Sequence, residues 1–408
     1  MDEGEHPGSA DLCEGVGRGV VELSNGRLQP VIGFGTADIG CSLAPFVPTE
    51  EYEAVLPHHI EPTAEVEFAE SMTGERRCRW LPRQEHEQQS VVDARRRAAE
   101  LGTLAAMRLA QQAQHPYVEA VIKGALQVGY RFFDCAEIHG NEAAVGRAWR
   151  SSGLPREELF LQSKVWTSTI ARGRGAIRAA VEQTIADLGC EYLDCLLLHW
   201  PVPRKFVAAW QVLEELAGEG KVRSLGLSNF TVEDYLQLKP HIAPEHCPVV
   251  NQIEVNPLLF RRETIDFFKG EGLAVQAYSP LCGGRQHKGM RLQDPEGWML
   301  KLSPALSSAA IKYGRSVAQV MGRWVLEHGC ILVAKAERWE HAVDNAALFD
   351  FDISDGDMVL LDALTGHDAL GHFREAYRAG CTQGCANLDE EHRVSQYEAR
   401  NDDEFTAE

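Results

Sequence analysis

The sequence predicts an α/β chain folded as a closed (β/α)8 barrel, a TIM barrel. Three observations carry that prediction: eight short apolar runs, amphipathic stretches between them, and polar residues gathered where the runs end. The runs cover residues 31–36, 131–135, 160–165, 194–199, 224–229, 249–254, 274–279 and 331–335. Most are apolar through their middles, as parallel strands covered on both faces must be. Eight such strands alternating with helices favour a closed barrel over an open sheet.

An N-terminal hairpin stands ahead of the first run, and the barrel is expected over residues 17–370. A long insertion follows the first barrel strand, at 41–115, far above the usual length of a βα loop. Within it, 41–88 mixes Pro, Glu and His without periodicity, and 91–114 reads as an Ala- and Arg-rich helix ended by His115 and Pro116. A loop after a barrel strand lies on the C-terminal face, so a lid and a disordered loop both remain open. A helix is expected over 117–128. Another covers 175–188, where Ile177, Val181, Thr184, Ile185 and Leu188 share one face and Gly189 stands at the exit. Thr231 with Asp234 resembles a capping box, and Ser303 before Pro304 is a helix start. Residues 371–408 read as a mobile, acidic C-terminal tail, with Asp389, Glu390, Glu391, Asp402, Asp403 and Glu404 among few apolar residues.

With 44% hydrophobic and 25% charged residues, the chain can bury a sizeable core. Its net charge of -20 disfavours nucleic acid and anionic membrane surfaces as partners. The eleven cysteines include no CxxC pair, and Cys381 with Cys385 has no second pair to complete a zinc site, so thiols in a reducing compartment are expected and no metal is. The acidic start lacks a secretory core, and no apolar run could span a bilayer. A cytoplasmic monomer is the expectation.

Asp134, Lys164, His199, Ser228, Asn229, Gln252 and Tyr278 all fall at the C-terminal ends of runs. A buried strand has no structural use for so many polar groups. Singly each has a bland reading, as a loop cap, a snorkelling charge or a satisfied core imidazole; together they argue for one pocket.

The motifs VELSNGRLQPVIGFGT (21–36), GYRFFDCAEIHGNE (129–142), LFLQSKVW (159–166), YLDCLLLHWP (192–201), GLSNF (226–230), NQIE (251–254), AYSPL (277–281) and AQVMGRW (318–324) resemble the aldo-keto reductase family in order and content. The resemblance runs from Val21 to about Leu364, the insertion apart. It implies an NADPH-dependent oxidoreductase, with NADH possible, that reduces aldehydes or ketones. Hydride passes to the carbonyl carbon, and a proton reaches the oxygen from a site of Asp, Tyr, Lys and His. By motif the Asp is Asp134, the Lys is Lys164 and the His is His199. The tyrosine position holds His139, whose ring is shorter than a phenol and whose acid chemistry differs. Donation by His139 through a water, donation by His199 and loss of turnover are the three outcomes this leaves. A nicotinamide-binding redox sensor or partner-binding module is the alternative function.

The same resemblance implies that Ser228, Asn229 and Gln252 hold the nicotinamide carboxamide, Tyr278 stacks on its ring, and Ser279 and Leu281 line the pyrophosphate path. Lys335 would meet the adenosine phosphate and Asn345 the adenine. Ala336 replaces an expected hydroxyl and His341 an expected arginine, which weakens a 2'-phosphate clamp, with Arg338 as a possible substitute. Trp166 and Trp200 would line the carbonyl pocket. Ala37 is small and the loop from His199 through Pro203, Arg204 and Lys205 to Phe206 is short, which implies an open pocket for a small or medium carbonyl compound. A metal site at His58, His59 and His86 matches no ligand spacing.

Overall fold

The computed structural model describes residues 19–37, 66–70, 76–80, 115–281, 303–365, 377, 380–381 and 385. A hairpin of β1 (Val20–Glu22) and β2 (Leu28–Pro30) comes first, its strands antiparallel around a turn where Gly26 takes a φ of 76°. Eight parallel strands then close a barrel: β3 (Ile32–Gly35), β6 (Phe132–Asp134), β7 (Phe160–Val165), β8 (Cys195–Leu198), β9 (Leu225–Ser228), β10 (Val250–Glu254), β11 (Ala274–Tyr278) and β12 (Ile331–Ala334), which pairs back to β3. Each expected run is a strand, within one residue at either end.

Side chains alternate across the barrel wall because successive strand residues point to opposite faces. Phe132, Phe160, Cys195, Leu197, Val250, Ile331 and Val333 fill the interior together with Leu23 from the hairpin, whose position plugs the N-terminal end. Gly33 is required there: a Cβ on it would lie 2.3 Å from the Phe132 ring. The opposite faces of the strands pack against the helices in a larger apolar layer that includes Phe34, Leu161, Leu196, Trp210 and Trp324.

The helices are α1 (His115–Val128), α2 (Glu142–Arg150), α3 (Thr167–Arg172), α4 (Arg174–Leu188), α5 (Phe206–Gly218), α6 (Val232–Leu238), α7 (Arg262–Gly270), α8 (Pro304–Tyr313), α9 (Val317–Glu327), α10 (Trp339–Ala346) and α11 (Asp355–Asp362). Their ends follow the sequence signals. Ile177, Val181, Thr184 and Leu188 are the buried face of α4, and Gly189 closes it in the left-handed region at φ 61°. Thr231 and Asp234 form the capping box of α6, and the Ser303 hydroxyl accepts from Leu306 N at 3.2 Å.

Two expectations need correction. Inside the insertion, where 41–88 reads as aperiodic, β4 (Val66–Glu70) and β5 (Arg76–Trp80) pair antiparallel, and their backbones run alongside α1 and α10. The alternation Val-Glu-Phe-Ala-Glu is a strand pattern only five residues long, too short to stand out in a wide window. The second concerns the tail: Tyr377, Cys381 and Cys385 are buried, so this part of the stretch from 371 packs on the barrel. The acidic positions beyond 388, the helix expected over 91–114, and His58, His59 and His86 lie outside the described residues. Among the described residues no helix is long and apolar enough to cross a membrane.

Candidate active site

Register decides which polar side chains reach the barrel mouth. Phe132 and Phe160 point inward, so two residues on Asp134 and Gln162 do too, and two further on so does Lys164. Lys164 Nζ lies 2.7 Å from both Asp134 carboxylate oxygens and 3.0 Å from Cys135 O. Both side chains are almost wholly buried. A snorkelling lysine is thereby excluded, and two charges withdrawn from water at this cost are held together by their mutual attraction and by further hydrogen bonds.

After β6 the chain makes one 3-10 turn, Glu137–His139, and leaves it through Gly140 at φ 60°. Glu137 fixes that turn to the next strand's end: its carboxylate accepts from Trp166 N at 2.9 Å and from Thr169 Oγ1 at 2.7 Å. His139 is thereby turned toward β3, where its Nδ1 is 3.1 Å from Thr36 Oγ1. The Thr36 hydroxyl also lies 3.0 Å from Asp134 O, and Asn141 Nδ2 donates to Thr36 O at 2.8 Å. His199, at the end of β8, stands with its ring 6.3 Å from that of His139 and 5.0 Å from that of Trp166.

The far wall comes from β9, β10 and β11. Asn229 adopts φ 61°, a left-handed conformation that asparagine tolerates better than most residues. Its Nδ2 donates to His199 O at 3.0 Å and to Ser228 Oγ at 3.1 Å, and its Oδ1 accepts from the Tyr278 hydroxyl at 2.8 Å. Gln252 is buried beside them. Thus Asp134, His139, Lys164, His199, Trp166, Ser228, Asn229, Gln252 and Tyr278 gather at one end of the barrel. Ser279 (φ 48°) and Leu281 continue from β11, the carbonyl of Ser279 accepting from Asn256 Nδ2 at 3.2 Å. Lys335 follows β12 and meets the Glu337 carboxylate at 3.1 Å, while Asn345 is buried in α10. Trp200 packs against Ala136, Ile138 and Trp166 on the His139 side and also toward the tail, its ring 6.3 Å from that of Tyr377, where a Cβ on Gly380 would meet it at 2.6 Å.

The family model described as Aldo/keto reductase family matches residues 100–365. The chain belongs to the aldo/keto reductase family. It is 38% identical over 250 residues to "Glyoxal reductase" of Bacillus subtilis (strain 168), covering 61% of this chain and 84% of that protein. It is 36% identical over 275 residues to "Aldo-keto reductase family 1 member A1" of Sus scrofa, covering 60% and 81%. An aldo/keto reductase structure from Brucella melitensis superposes with a TM-score of 0.57 at 26% identity, over 85% of this chain and 98% of that one. A Bombyx mori aldo-keto reductase solved with NADP shares the fold, with a TM-score of 0.60 at 22% identity over 85% and 92%. Membership implies oxidoreductase chemistry at carbonyl groups, and the family uses NADPH.

Sequence reading passed over several buried polar residues in and around this end of the barrel. Thr36 is one, Glu137 another. Glu142, buried at the start of α2 on the helix side of β7, accepts from Ser163 Oγ at 2.6 Å and Thr184 Oγ1 at 3.0 Å, and burial pushes its carboxyl up to about 7. Gln162 and Gln276 are completely buried in the barrel interior. Their signal was a two-residue offset from Lys164 and from Tyr278, which puts them on the same inward face.

Proposed function

We propose that this chain is an NADPH-dependent reductase of small or medium aldehydes and ketones in which His139 takes the place of the proton-donating tyrosine. The observation that carries the reading is the buried Lys164–Asp134 pair, 2.7 Å apart, beside an imidazole held on Thr36. The amide-rich wall fits a nicotinamide carboxamide, which needs one acceptor and one donor. Gln252 spends an Nε2 hydrogen on Gln276, which leaves Oε1 as acceptor, and the Ser228 hydroxyl keeps a hydrogen of its own to donate. Asn229 would complete that grip, with Tyr278 against the ring and Ser279 and Leu281 along the pyrophosphate. Lys335 and Asn345 would serve the adenosine end. Because Lys335 already shares its charge with Glu337, the 2'-phosphate is weakly rewarded and NADH is accepted too.

When bound, the nicotinamide supplies the hydride. The protein's part is the proton and the orientation of the carbonyl. If the Thr36 hydroxyl donates to Asp134 O, His139 Nδ1–H donates to Thr36 Oγ1 in both protonation states of the ring, and Nε2 is the atom at which the proton is held and released. Reduction then requires the protonated ring. Its rate falls as pH rises and the ring gives up that proton, while alcohol oxidation rises over the same interval; a phenol would hold reduction steady near neutral pH. His199 and Trp166 border the carbonyl, and Trp200 the substrate's outer part. The acidic chain and the thiols Cys135, Cys190, Cys195, Cys247 and Cys330 suit a cytoplasmic monomer.

The test mixes purified protein with NADPH and a panel of aromatic aldehydes from about pH 5 to about pH 9, spanning the imidazole range. Oxidation of NADPH that is fastest at the acid end is the expected result. No oxidation above background anywhere in that range would remove the reading, and uptake without turnover would mark a cofactor-binding module instead.

A further inference from the structure

The two glutamines in the barrel interior have no part in the chemistry above. They are costly to keep there, since a buried amide left unpaired loses a hydrogen bond's worth of free energy for each group. Each of the four amide atoms of the pair has a partner. Gln162 Nε2 donates to Asp134 Oδ1 at 2.6 Å and to Gln276 Oε1 at 2.8 Å, and Gln276 Nε2 returns a hydrogen bond to Gln162 Oε1 at 2.9 Å. Gln276 Oε1 also accepts from Gln252 Nε2 at 2.9 Å.

The chain of amides has a direction. An ionised carboxylate only accepts, so the atom of Gln162 facing Asp134 must be its nitrogen. That fixes the carbonyl of Gln162 toward the nitrogen of Gln276, and the carbonyl of Gln276 toward Gln162 and Gln252. Gln252 can then face Gln276 only with its own nitrogen. Which end of the Gln252 amide is left for the site is therefore decided at Asp134, three side chains away, on the strand beside that of Lys164. Amide orientation is normally ambiguous; here the charge resolves it.

We infer that Gln162 and Gln276 are positioning residues that couple the ionised Asp134 to the cofactor grip, holding Gln252 with its carbonyl oxygen toward the nicotinamide carboxamide. This rests on the proposed function, which assigns Gln252 to that carboxamide. A wrongly flipped Gln252 would set an N–H2 against the N–H2 of the carboxamide. A hydrogen bond would become a donor–donor clash.

Replacing both glutamines, as Gln162→Met with Gln276→Met, removes their mutual bonds together and leaves one lost hydrogen bond each at Gln252 Nε2 and at Asp134 Oδ1, which keeps Lys164. The readouts are thermal unfolding and NADPH binding by fluorescence titration. The thermal midpoint should move by only a few degrees, while the Kd for NADPH rises about tenfold. In a Gln252→Leu background the same double replacement should change Kd no further, because nothing remains to be oriented. A wild-type Kd in the double variant overturns the inference, as do losses that simply multiply in the Gln252→Leu background. Should the double variant not fold, Gln162→Met alone cuts the chain of amides at Asp134 and must also weaken NADPH binding; a wild-type Kd for it overturns the inference equally. Failure of the unaltered protein to take up NADPH would refute the proposed function itself, whereas uptake with unaltered Kd in the variants refutes the coupling alone.

Discussion

Glu142→Gln should make the protein more stable at alkaline pH and leave it nearly unchanged at acid pH. The carboxyl is buried, accepts from two hydroxyls, and has Glu137 and Asp187 nearby, with burial the largest cause raising it from the usual 4.5 to about 7. Below 4.5 both the native and the unfolded chain carry its proton, and the stabilisation is fully present. Between 4.5 and about 7 the unfolded chain releases that proton and the native chain keeps it, so stability falls as pH rises by about 1.4 kcal/mol per pH unit. Above about 7 the loss levels off at roughly 3 kcal/mol. Glutamine cannot ionise and can still meet Ser163 and Thr184 through its oxygen and nitrogen.

Urea unfolding followed by tryptophan fluorescence, at a series of pH values, measures this as the difference between variant and wild type. His115 and His328, whose basicity burial lowers, are present in both proteins and cancel in that difference. Parallel pH curves for the two proteins, or a wild type that gains stability over the variant between pH 5 and 8, would refute the reasoning. Because α2 begins directly after the turn that carries His139, activity is a useful second channel: the acid-side preference of reduction should survive in Glu142→Gln, since it belongs to the imidazole.

His139→Tyr should raise aldehyde turnover at neutral pH by at least about tenfold and flatten the pH profile there, as steady-state rates will register; a fall would mean that the surrounding turn is shaped for an imidazole alone. Thr36→Val removes the hydroxyl that holds His139 Nδ1 and should lower kcat about 10- to 100-fold with NADPH binding unchanged, the signature of a misplaced proton donor. Glu337→Gln leaves Lys335 without its carboxylate, so the ratio of NADPH to NADH affinity should rise severalfold in paired titrations at low salt and shrink as salt is added, the lysine being well exposed.

The barrel was legible in the sequence because a strand covered on both faces must be apolar throughout, and eight such runs separated by helix-length stretches can be buried together only in a parallel sheet wrapped by helices. Asp134 and Lys164 were legible for the opposite reason: each is a charge at the end of an apolar run. Thr36 was not, since its partners lie about a hundred positions away and meet it only when β3 closes against β6. The anchoring of residues near Tyr377 was hidden by composition. The charged stretch that follows dominates any average over the tail, yet Tyr377 alone brings an aromatic face to Trp200 and a hydroxyl to the Asp234 carboxylate.

The geometry around Lys164 bears on which group can give the proton. An ammonium has three hydrogens, and Lys164 has three acceptors within reach: both oxygens of Asp134 and the carbonyl of Cys135. Passing one of those hydrogens to a substrate would break the pair and leave a carboxylate almost without water in the barrel, a loss of about 3–5 kcal/mol when such pairs are broken elsewhere. Lys164 is thus better suited to remain a fixed charge than to act as an acid. His139 bears no such obligation: with the Thr36 hydroxyl donating to Asp134 O, its Nδ1–H keeps the same bond to Thr36 Oγ1 whether or not the ring carries a second proton. The same ion pair that withholds its own proton also adjoins the amides beneath it, so on the proposed reading one ionised carboxylate supports both the charge at the mouth and the orientation of Gln252.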